Sequence, residues 1–191
     1  MTSRSWAGFS SLKNWKVYVL RLNHRPKRDK RVTTHLLLAA RAFGAAGAIY
    51  SGEKDEKVEE SLEKVSKSWG GRFEVKFIRN WRKVIEAWKE NGGEVIHLTM
   101  YGLPVQDVKD QIKASLKDKL VVVGGAKVPG AVYKMADWNV SVTSQPHSEV
   151  SALSVFLHEL FEGKELSKSF EDGEFKVVPQ SKGKKVIKTG L

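Results

Sequence analysis

The sequence predicts an α/β domain with a mostly parallel sheet and helices on both faces. Six short segments rich in β-branched and aromatic residues alternate along the chain with segments of helical periodicity, which is the pattern of a parallel sheet. The run Leu-Val-Val-Val at residues 120–123 is apolar throughout, as strands buried on both faces are. A length of 191 residues suits one domain with a full core.

The predicted strands alternate or are continuously apolar, and they span residues 15–22, 47–50, 73–78, 94–98, 120–123 and 138–142. The predicted helices carry apolar residues at helical spacings, and they span residues 31–43, 55–69, 81–88, 105–116, 131–135 and 148–161. A polar, basic loop is expected over residues 23–30, between the first strand and the first helix. Because strands and helices alternate, consecutive strands are expected to run parallel.

We expect the α/β domain to occupy residues 15–163. Residues 164–191 differ in character, because they hold seven lysines against four acidic residues, and only residues 175–178 resemble a strand. This part is interpreted as a basic C-terminal β extension with a flexible end. Residues 1–14 form an N-terminal extension for which the sequence predicts no role.

Composition limits the classes of function. With no cysteine, the chain cannot form disulfides, cysteine-based zinc sites or iron–sulfur clusters. No apolar run approaches the ~20 residues that span a bilayer, and the N-terminus lacks the apolar core of a secretory signal, so the cytoplasm is expected. The net charge of +11 favours a polyanionic partner such as nucleic acid. A lysine-rich surface, as found in proteins from hot environments, is the alternative that composition leaves open.

Two strand ends predict a pocket. The strand at residues 120–123 runs into Gly124 and Gly125, and the strand at 138–142 runs into the segment Thr-Ser-Gln-Pro-His-Ser-Glu at 143–149. Loops at the carboxyl ends of parallel strands lie on the same edge of a sheet. Backbone amides and carbonyls in such loops can bind a small cofactor.

Several common cofactor and catalytic motifs are absent. Residues 125–130 have the glycine spacing of a phosphate-binding loop, but no Lys-Ser/Thr follows and Pro129 removes an amide donor. No G-x-G-x-x-G follows the first strand, and His158-Glu159 lacks the second histidine of a zinc helix. A hydrolase elbow of the form G-x-S-x-G is also missing. What remains is a loop-lined pocket near a basic surface.

Three segments carry a specific combination of residues. They are RDKRVTTH at 28–35 with AFG at 42–44, HLTMYG at 97–102 with VGGAKVP at 123–129, and QPHSEVSAL at 145–153. Together they resemble the archaeal tRNA ribose 2′-O-methyltransferases that modify cytidine 56 of the TΨC loop. These enzymes belong to the SPOUT superfamily of trefoil-knotted methyltransferases. The resemblance extends from about residue 15 to about residue 185.

The resemblance implies a fold, a cofactor and partners. In that family the C-terminal half of the domain forms a trefoil knot, S-adenosylmethionine binds in the knotted loops, and the enzyme is a homodimer that acts on tRNA without a metal ion. The implied cofactor contacts are Leu98, Gly124, Gly125, Ala126, Lys127, Val128, Val142, Thr143, Ser144, Gln145, Pro146, His147, Ser148 and Glu149. The chain departs from the family at Gly125-Ala126 and Thr143-Ser144, where Ala-Glu and Gly-Asn are expected.

Arg31 and Glu149 are the candidate catalytic residues that the resemblance implies. In related ribose methyltransferases an arginine of the first motif reaches the substrate ribose across the dimer interface, and Arg31 is the implied equivalent. The alternative is a plain surface arginine at a helix start. Glu149 is expected at a helix N-terminus, where the dipole stabilises it. Pairing with the partner's Arg31 and meeting the sulfonium charge both stay open. Ser148 and Asp29 are expected to cap helices, and His97 is expected to be a core or interface histidine.

Two basic clusters are candidate RNA contacts, one after the first strand and one in the tail. The predicted RNA-binding residues are Arg25, Lys27, Arg28, Lys30, Arg31, Lys182, Lys184 and Lys185. Phosphate contacts of this kind weaken as the salt concentration rises. Two other functions stay open at this point. One is a SPOUT methyltransferase with another tRNA or rRNA target, and the other is a non-catalytic RNA-binding α/β protein.

Overall fold

Six parallel strands form the central sheet of the computed structural model, which describes residues 15–125 and 127–189. The strands are β1 (Val17–His24), β2 (Gly47–Gly52), β3 (Glu74–Phe77), β4 (Glu94–Pro104), β5 (Lys119–Val123) and β6 (Trp138–Ser141). They lie in the order β3-β2-β1-β5-β4-β6, and every neighbouring pair is parallel. The predicted parallel α/β sheet is confirmed.

Helices cover both faces of this sheet, as predicted. They are α1 (Pro26–Ala42), α2 (Glu56–Trp69), α3 (Trp81–Glu90), α4 (Val105–Ala114), α5 (Gly130–Met135) and α6 (Glu149–Phe161). Apolar residues of α1, α2, α4 and α6 pack on one face, and those of α3 and α5 pack on the other. Among the described residues, no helix has both the length and the apolar character needed to cross a bilayer.

The first helix begins earlier than predicted. α1 starts at Pro26, so the loop expected over residues 23–30 is wrong for most of its length. A proline suits the first helical position because its fixed φ matches the helix and its missing N–H needs no partner there. Arg25 is the N-cap residue, and the prediction that Asp29 caps the helix is wrong. Asp29 lies in the first turn, where its carboxylate accepts a hydrogen bond from Arg25 Nε at 3.2 Å.

The sheet has a switch point between β1 and β5. The chain leaves β1 into α1 on one face, whereas it leaves β5 towards α5 on the other face. Neighbouring strands of this kind open a crevice at their carboxyl ends, where open α/β sheets bind ligands. We call the side where β1, β5 and β6 end, at His24, Val123 and Ser141, the carboxyl edge. The opposite side, where β4 and β5 begin at Glu94 and Lys119, is the amino edge.

β4 contacts β6 twice along its length. Val140 pairs with Leu98 and again with Leu103, so residues 99–102 form an excursion between the two contacts. Gly102 is needed in this excursion, because a Cβ at that position would lie 2.5 Å from the backbone of Asn139. The excursion of β4 therefore lies directly against the β6 backbone.

A hairpin follows α6. After a 3₁₀ turn at Lys164–Ser167, β7 (Phe175–Val178) and β8 (Lys185–Lys188) pair in antiparallel fashion. β7 agrees with the predicted strand, but the end predicted to be flexible contains β8. The sequence signal of β8 is weak, because lysines flank its two apolar residues. Residues 1–14, predicted as an N-terminal extension, lie outside the described residues.

Candidate active site

A cavity of about 430 Å³ opens at the carboxyl edge, between β4, β5 and β6. Its volume lies within the range of small-molecule sites. The loop after β5 forms one wall through Gly124 and Gly125, and residues 145–148 with the start of α6 form another. The excursion of β4 closes a third side through residues 99–101. The structure therefore has a cavity where the sequence predicts a pocket.

The structure brings most of the predicted cofactor residues to this cavity. Ten of the fourteen line it: Leu98, Gly124, Gly125, Val128, Val142, Gln145, Pro146, His147, Ser148 and Glu149. Lys127, Thr143 and Ser144 are exposed and do not line it. The Thr143 hydroxyl instead accepts a hydrogen bond from the Gln145 backbone N–H at 3.3 Å, which shapes the loop. Ala126 lies outside the described residues.

Gly124 and Gly125 differ in how strictly their positions require glycine. A Cβ on Gly124 would lie 2.2 Å from Val128 Cγ2, so a side chain there would force Val128 to move. A Cβ on Gly125 would lie 3.6 Å from Glu149 Oε1, which is ordinary van der Waals contact. Close packing therefore demands glycine at the first position only.

A buried polar cluster forms the floor of the cavity. His97 is buried, as expected for a core histidine, and its Nδ1 lies 2.9 Å from Asn139 Oδ1. The ring of Tyr133 stands edge-on to His97 at 4.6 Å, and the Tyr133 hydroxyl lies 3.1 Å from Thr99 Oγ1. Burial lowers the pKa of His97, although the hydrogen bond to Asn139 opposes this shift. The imidazole is therefore neutral near pH 7.

Thr99 and Tyr133 are site residues that motif reasoning alone missed. Thr99 lies within the HLTMYG motif, directly after Leu98, so the motif itself was the available signal. Tyr133 lies in the short helix α5, which the sequence places far from β4. Only the three-dimensional packing of α5 against β4 brings its hydroxyl to the cavity.

Ser148 starts α6 at the mouth of the cavity. It is the N-cap residue, and its Oγ accepts a hydrogen bond from the Ser151 backbone N–H at 3.2 Å. The predicted cap is confirmed. Glu149 follows in the first turn, where the positive end of the helix dipole favours a carboxylate. The cap therefore fixes the point at which Glu149 meets the cavity.

Arg21 is a component of this region that the sequence motifs do not indicate. Its side chain is 2% exposed, and its Nη2 lies 3.7 Å from Glu149 Oε1. Its Nε and Nη1 are buried without a hydrogen-bond partner. Burial lowers the pKa of Arg21, whereas the negative charges of Glu149 and Asp29 act to raise it. The available signal was an arginine between two leucines, Leu20 and Leu22, in a predicted strand.

Comparison with known proteins gives the family. A family model described as tRNA ribose 2′-O-methyltransferase, aTrm56, matches residues 69–187. A tRNA (cytidine(56)-2′-O)-methyltransferase from Methanothermobacter thermautotrophicus is 60% identical over 168 residues, which cover 88% of this chain and 94% of that protein. The chain belongs to the aTrm56 family. A protein of the same name from Pyrococcus horikoshii is 56% identical to this aTrm56-family chain, with 90% of the chain and 84% of that protein covered.

Solved structures support the fold of this aTrm56-family chain. The SpoU methyltransferase AviRb from Streptomyces viridochromogenes, solved with AdoMet, has a TM-score of 0.58 at 18% identity. That match covers 81% of this chain but only 59% of AviRb. The TrmH/SpoU tRNA modifying enzyme of A. aeolicus has a TM-score of 0.59 at 14% identity, covering 79% of this chain and 76% of that enzyme. The shared architecture is the SPOUT methyltransferase fold.

The first basic cluster of this aTrm56-family chain lies at the start of α1. Arg25, Lys27, Arg28 and Arg31 are exposed there, just beyond the carboxyl end of β1, and Lys30 belongs to the same helix. In the described part of the chain, no ion pair joins Arg31 to Glu149. The two predicted catalytic residues are therefore not paired within one chain.

The second basic cluster lies elsewhere on the molecule. Lys182, Lys184 and Lys185 are exposed on the hairpin of β7 and β8. That hairpin packs beside the C-terminal end of α2, where the ring of Phe175 lies 6.0 Å from that of Trp69. Since α2 runs from the carboxyl edge back towards the amino edge, the base of the hairpin lies near the amino edge, away from the start of α1.

A larger cavity of about 810 Å³ lies beside α3 and reaches the loops that precede β4 and β5. Its walls are mainly apolar, with Ile49, Val84, Trp88 and Leu116 among them. Parallel sheets bind ligands at the carboxyl edge rather than at the amino edge, so the smaller cavity is the candidate active site. Within the described residues, no three His, Asp or Glu side chains come close enough together to hold a metal ion.

Proposed function

We propose that this enzyme transfers the methyl group of S-adenosylmethionine to the ribose 2′-hydroxyl of cytidine 56 in tRNA. The observation that carries the proposal is 60% identity, over 88% of the chain, with a protein named for this reaction. A tRNA substrate also accounts for the net charge of +11 and is consistent with action in the cytoplasm.

The cavity at the carboxyl edge fits this cofactor. Adenine is flat and neutral, so backbone groups can bind its edge while aliphatic side chains cover its faces. Gly124 and Gly125 expose backbone at the wall, and Leu98, Val128 and Val142 supply aliphatic surface. Glu149 is the acidic residue among those that line the cavity, and the donor is cationic at sulfur. When bound, the cofactor supplies a methyl group on a positively charged sulfur, which the ribose oxygen can attack.

The proposed role of Arg31 is to hold the ribose in place. A ribose 2′-hydroxyl is a weak nucleophile, so its alignment with the methyl group contributes most to the rate. A guanidinium can hold the hydroxyl or the adjacent phosphate through paired N–H donors. With the donor bound, the ribose oxygen would take the methyl group, the carbon–sulfur electron pair would stay on the then neutral sulfur, and the hydroxyl proton would pass to water. Because Arg31 is exposed and does not meet Glu149 in its own chain, we propose that it serves the cavity of a second subunit.

A homodimer and a trefoil knot are part of this proposal. Large apolar side chains are exposed near the cavity: Tyr101 is 79% exposed, Leu103 is 56% exposed and Val155 on α6 is 43% exposed. Exposed apolar groups of this kind favour contact with another protein surface. The trefoil knot is proposed from membership of the aTrm56 family. The dimer would bring a second chain to the cavity, and the knot would bring a buried loop to it.

The proposed tRNA contacts are the cations at the start of α1 and those of the hairpin. Since the first cluster lies at the carboxyl edge, it is close to the proposed site of transfer. The hairpin packs through Phe175 near the far edge, and its lysines would contact a more distant part of the tRNA. Affinity for tRNA is expected to fall as salt rises, because each phosphate contact releases a counterion.

Methyl transfer from tritiated S-adenosylmethionine to an unmodified tRNA transcript tests the proposed function. We expect label at the ribose of cytidine 56, and none when that nucleotide is replaced by uridine. Label that persists after the replacement would point to another SPOUT target. Binding of the donor and of tRNA without transfer would support a non-catalytic RNA-binding protein.

The Arg31→Ala variant tests the catalytic proposal. We expect kcat to fall at least ~100-fold while the affinity for S-adenosylmethionine is unchanged, because Arg31 is proposed to act on the ribose. Lys64→Ala on α2 serves as a control, since it removes another exposed cation. Turnover near the wild-type rate in Arg31→Ala would exclude Arg31 as the catalytic arginine.

A further inference from the structure

Arg21 is buried in a way that folding alone does not explain. It lies in β1 on the face that packs against α1 and α6, between Val19 and the end of the strand. Its guanidinium contacts one carboxylate, that of Glu149, at 3.7 Å, which is longer than a hydrogen bond. Two of its nitrogen atoms are buried without a partner. A buried guanidinium in this state lowers the stability of the fold, because desolvation exceeds its attraction to carboxylates that lie beyond hydrogen-bond distance.

The position of Arg21 indicates what it acts upon. Arg21 does not line the cavity at the carboxyl edge, whereas Glu149 does. Gly125 covers the pair, because a Cβ at Gly125 would lie 3.6 Å from Glu149 Oε1 and 3.7 Å from Arg21 Nη2. The guanidinium therefore lies behind the carboxylate, and any effect it has on a ligand passes through Glu149.

We propose that Arg21 is a positioning residue that holds the Glu149 carboxylate at the cavity wall, as the counter-charge to a cationic methyl donor. This inference rests on the proposed function. The Glu149 side chain is 30% exposed and has solvent beside it, so it needs an anchor to stay at the wall. Without Arg21 the Glu149 side chain rotates into solvent, where its charge is better solvated. A cationic ligand then loses a pre-positioned partner.

A comparison of the affinities for the methyl donor and for its product distinguishes this role from simple packing. S-adenosylmethionine carries a positive charge at sulfur, and S-adenosylhomocysteine has the same shape without that charge. Calorimetry on Arg21→Met should show S-adenosylmethionine binding weakened about 10-fold and S-adenosylhomocysteine binding changed less than about 2-fold, a difference of about 1 kcal/mol. Arg21→Lys keeps a cation and should restore most of the lost affinity. Glu149→Gln should give the same selective loss, and adding Arg21→Met to it should change little.

Arg41→Met is the matched control. Arg41 is also a buried arginine, 8% exposed, with an unpartnered Nε, but it donates to the Gly70 carbonyl and lies 5.1 Å from the Phe170 ring. Its loss should lower the melting temperature and leave both ligand affinities unchanged. Arg21→Met should keep or raise the melting temperature, because it removes a poorly paired buried charge.

The outcomes distinguish the two proposals. Wild-type protein that binds neither ligand would overturn the proposed function and this inference together. Wild-type binding of both ligands, with an equal loss for both in Arg21→Met or a gain for S-adenosylmethionine, would overturn only the role of Arg21. These binding constants are measured without RNA, so they do not depend on which nucleotide is methylated.

Discussion

Two buried cations occupy opposite ends of the same strand pair, and they differ in how they are partnered. Lys119 pairs with Val17 where β1 and β5 begin, and Arg21 pairs with Val123 where the same two strands end. Neither side chain is more than 2% exposed. The two residues therefore share the same sheet, the same face of that sheet and nearly the same degree of burial, and they differ in the groups that surround them.

Lys119 is surrounded by matched partners. Its Nζ donates to the carbonyl oxygens of Ser115 at 2.7 Å and Lys117 at 2.6 Å. The carboxylate of Glu94 lies 3.7 Å away, and the ring of Trp15 lies 4.6 Å below the ammonium. Burial still lowers the pKa of Lys119, while the charges of Glu94 and Asp118 act against this. The contacts make this cation a structural group that closes the amino edge.

Arg21 has no comparable set of partners, since in the described part of the chain Glu149 is the one carboxylate within ion-pair distance and two guanidinium nitrogens are unpaired. A cation whose partners are complete stabilises the fold, whereas one left incomplete beside a cavity is retained at a cost to stability. Hydrogen-bond satisfaction, rather than burial itself, therefore separates the structural cation Lys119 from Arg21, to which we assign a functional role.

The largest expected effect is a loss of stability caused by a substitution at the amino edge. Lys119→Met leaves two carbonyl oxygens and the Glu94 carboxylate without their cation, so the free energy of unfolding should fall by about 3 kcal/mol. Urea unfolding measures this loss, and kcat of the folded enzyme should stay within about 2-fold. Lys117→Met, which removes an exposed lysine beside it, should change stability little. A loss of turnover without a loss of stability would contradict the structural role of Lys119.

A tenfold effect on binding is expected at the carboxyl edge. Gly124→Ala places a Cβ 2.2 Å from Val128 Cγ2, so Val128, which lines the cavity, has to move. We expect affinity for S-adenosylmethionine to fall about 10-fold, or about 1.4 kcal/mol. Gly130→Ala is the control, because a Cβ there would have nothing within 4 Å and the position does not line the cavity. Equal losses in the two variants would show that Val128 is not the cause.

A smaller loss of stability should follow Ser148→Ala. Removal of the N-cap hydroxyl leaves the Ser151 N–H without its acceptor and should lower the free energy of unfolding by about 1 kcal/mol. A melting curve measures the change, with Ser144→Ala as a control at an exposed position outside the helix. An unchanged melting temperature would mean that other contacts hold the start of α6.

The smallest effect concerns pH. Burial lowers the pKa of His97 below its ordinary value of 6.5, so the unfolded chain binds this proton more readily than the folded one. The free energy of unfolding therefore does not depend on this group above pH 6.5. It decreases as the pH falls below that value, because the unfolded chain takes up the proton first. His97→Asn should therefore lose less stability than the wild type between about pH 7.5 and about pH 5.5. Urea unfolding at both values tests this, and parallel losses would contradict it.

The sequence predicted the parts of this molecule that local patterns control. Alternating strands and helices, the Ser148 cap and ten cavity residues follow from periodicity, capping chemistry and motif resemblance. The start of α1 was misplaced because the charges after Pro26 resemble a loop. The meeting of Arg21 with Glu149 could not be predicted, since 128 positions separate them and no local pattern links a strand arginine to a distant helix start.

The order in which the cavity residues occur along the chain has a consequence for synthesis. Every described residue that lines the cavity lies between His97 and Ala152, whereas the cations at the start of α1, up to Arg31, emerge more than sixty positions earlier. In a nascent polypeptide on the ribosome, these positive charges are therefore synthesised long before the cavity that can bind a methyl donor. During that interval it can attract nucleic acid, whereas the donor site is complete only once α6 has been made.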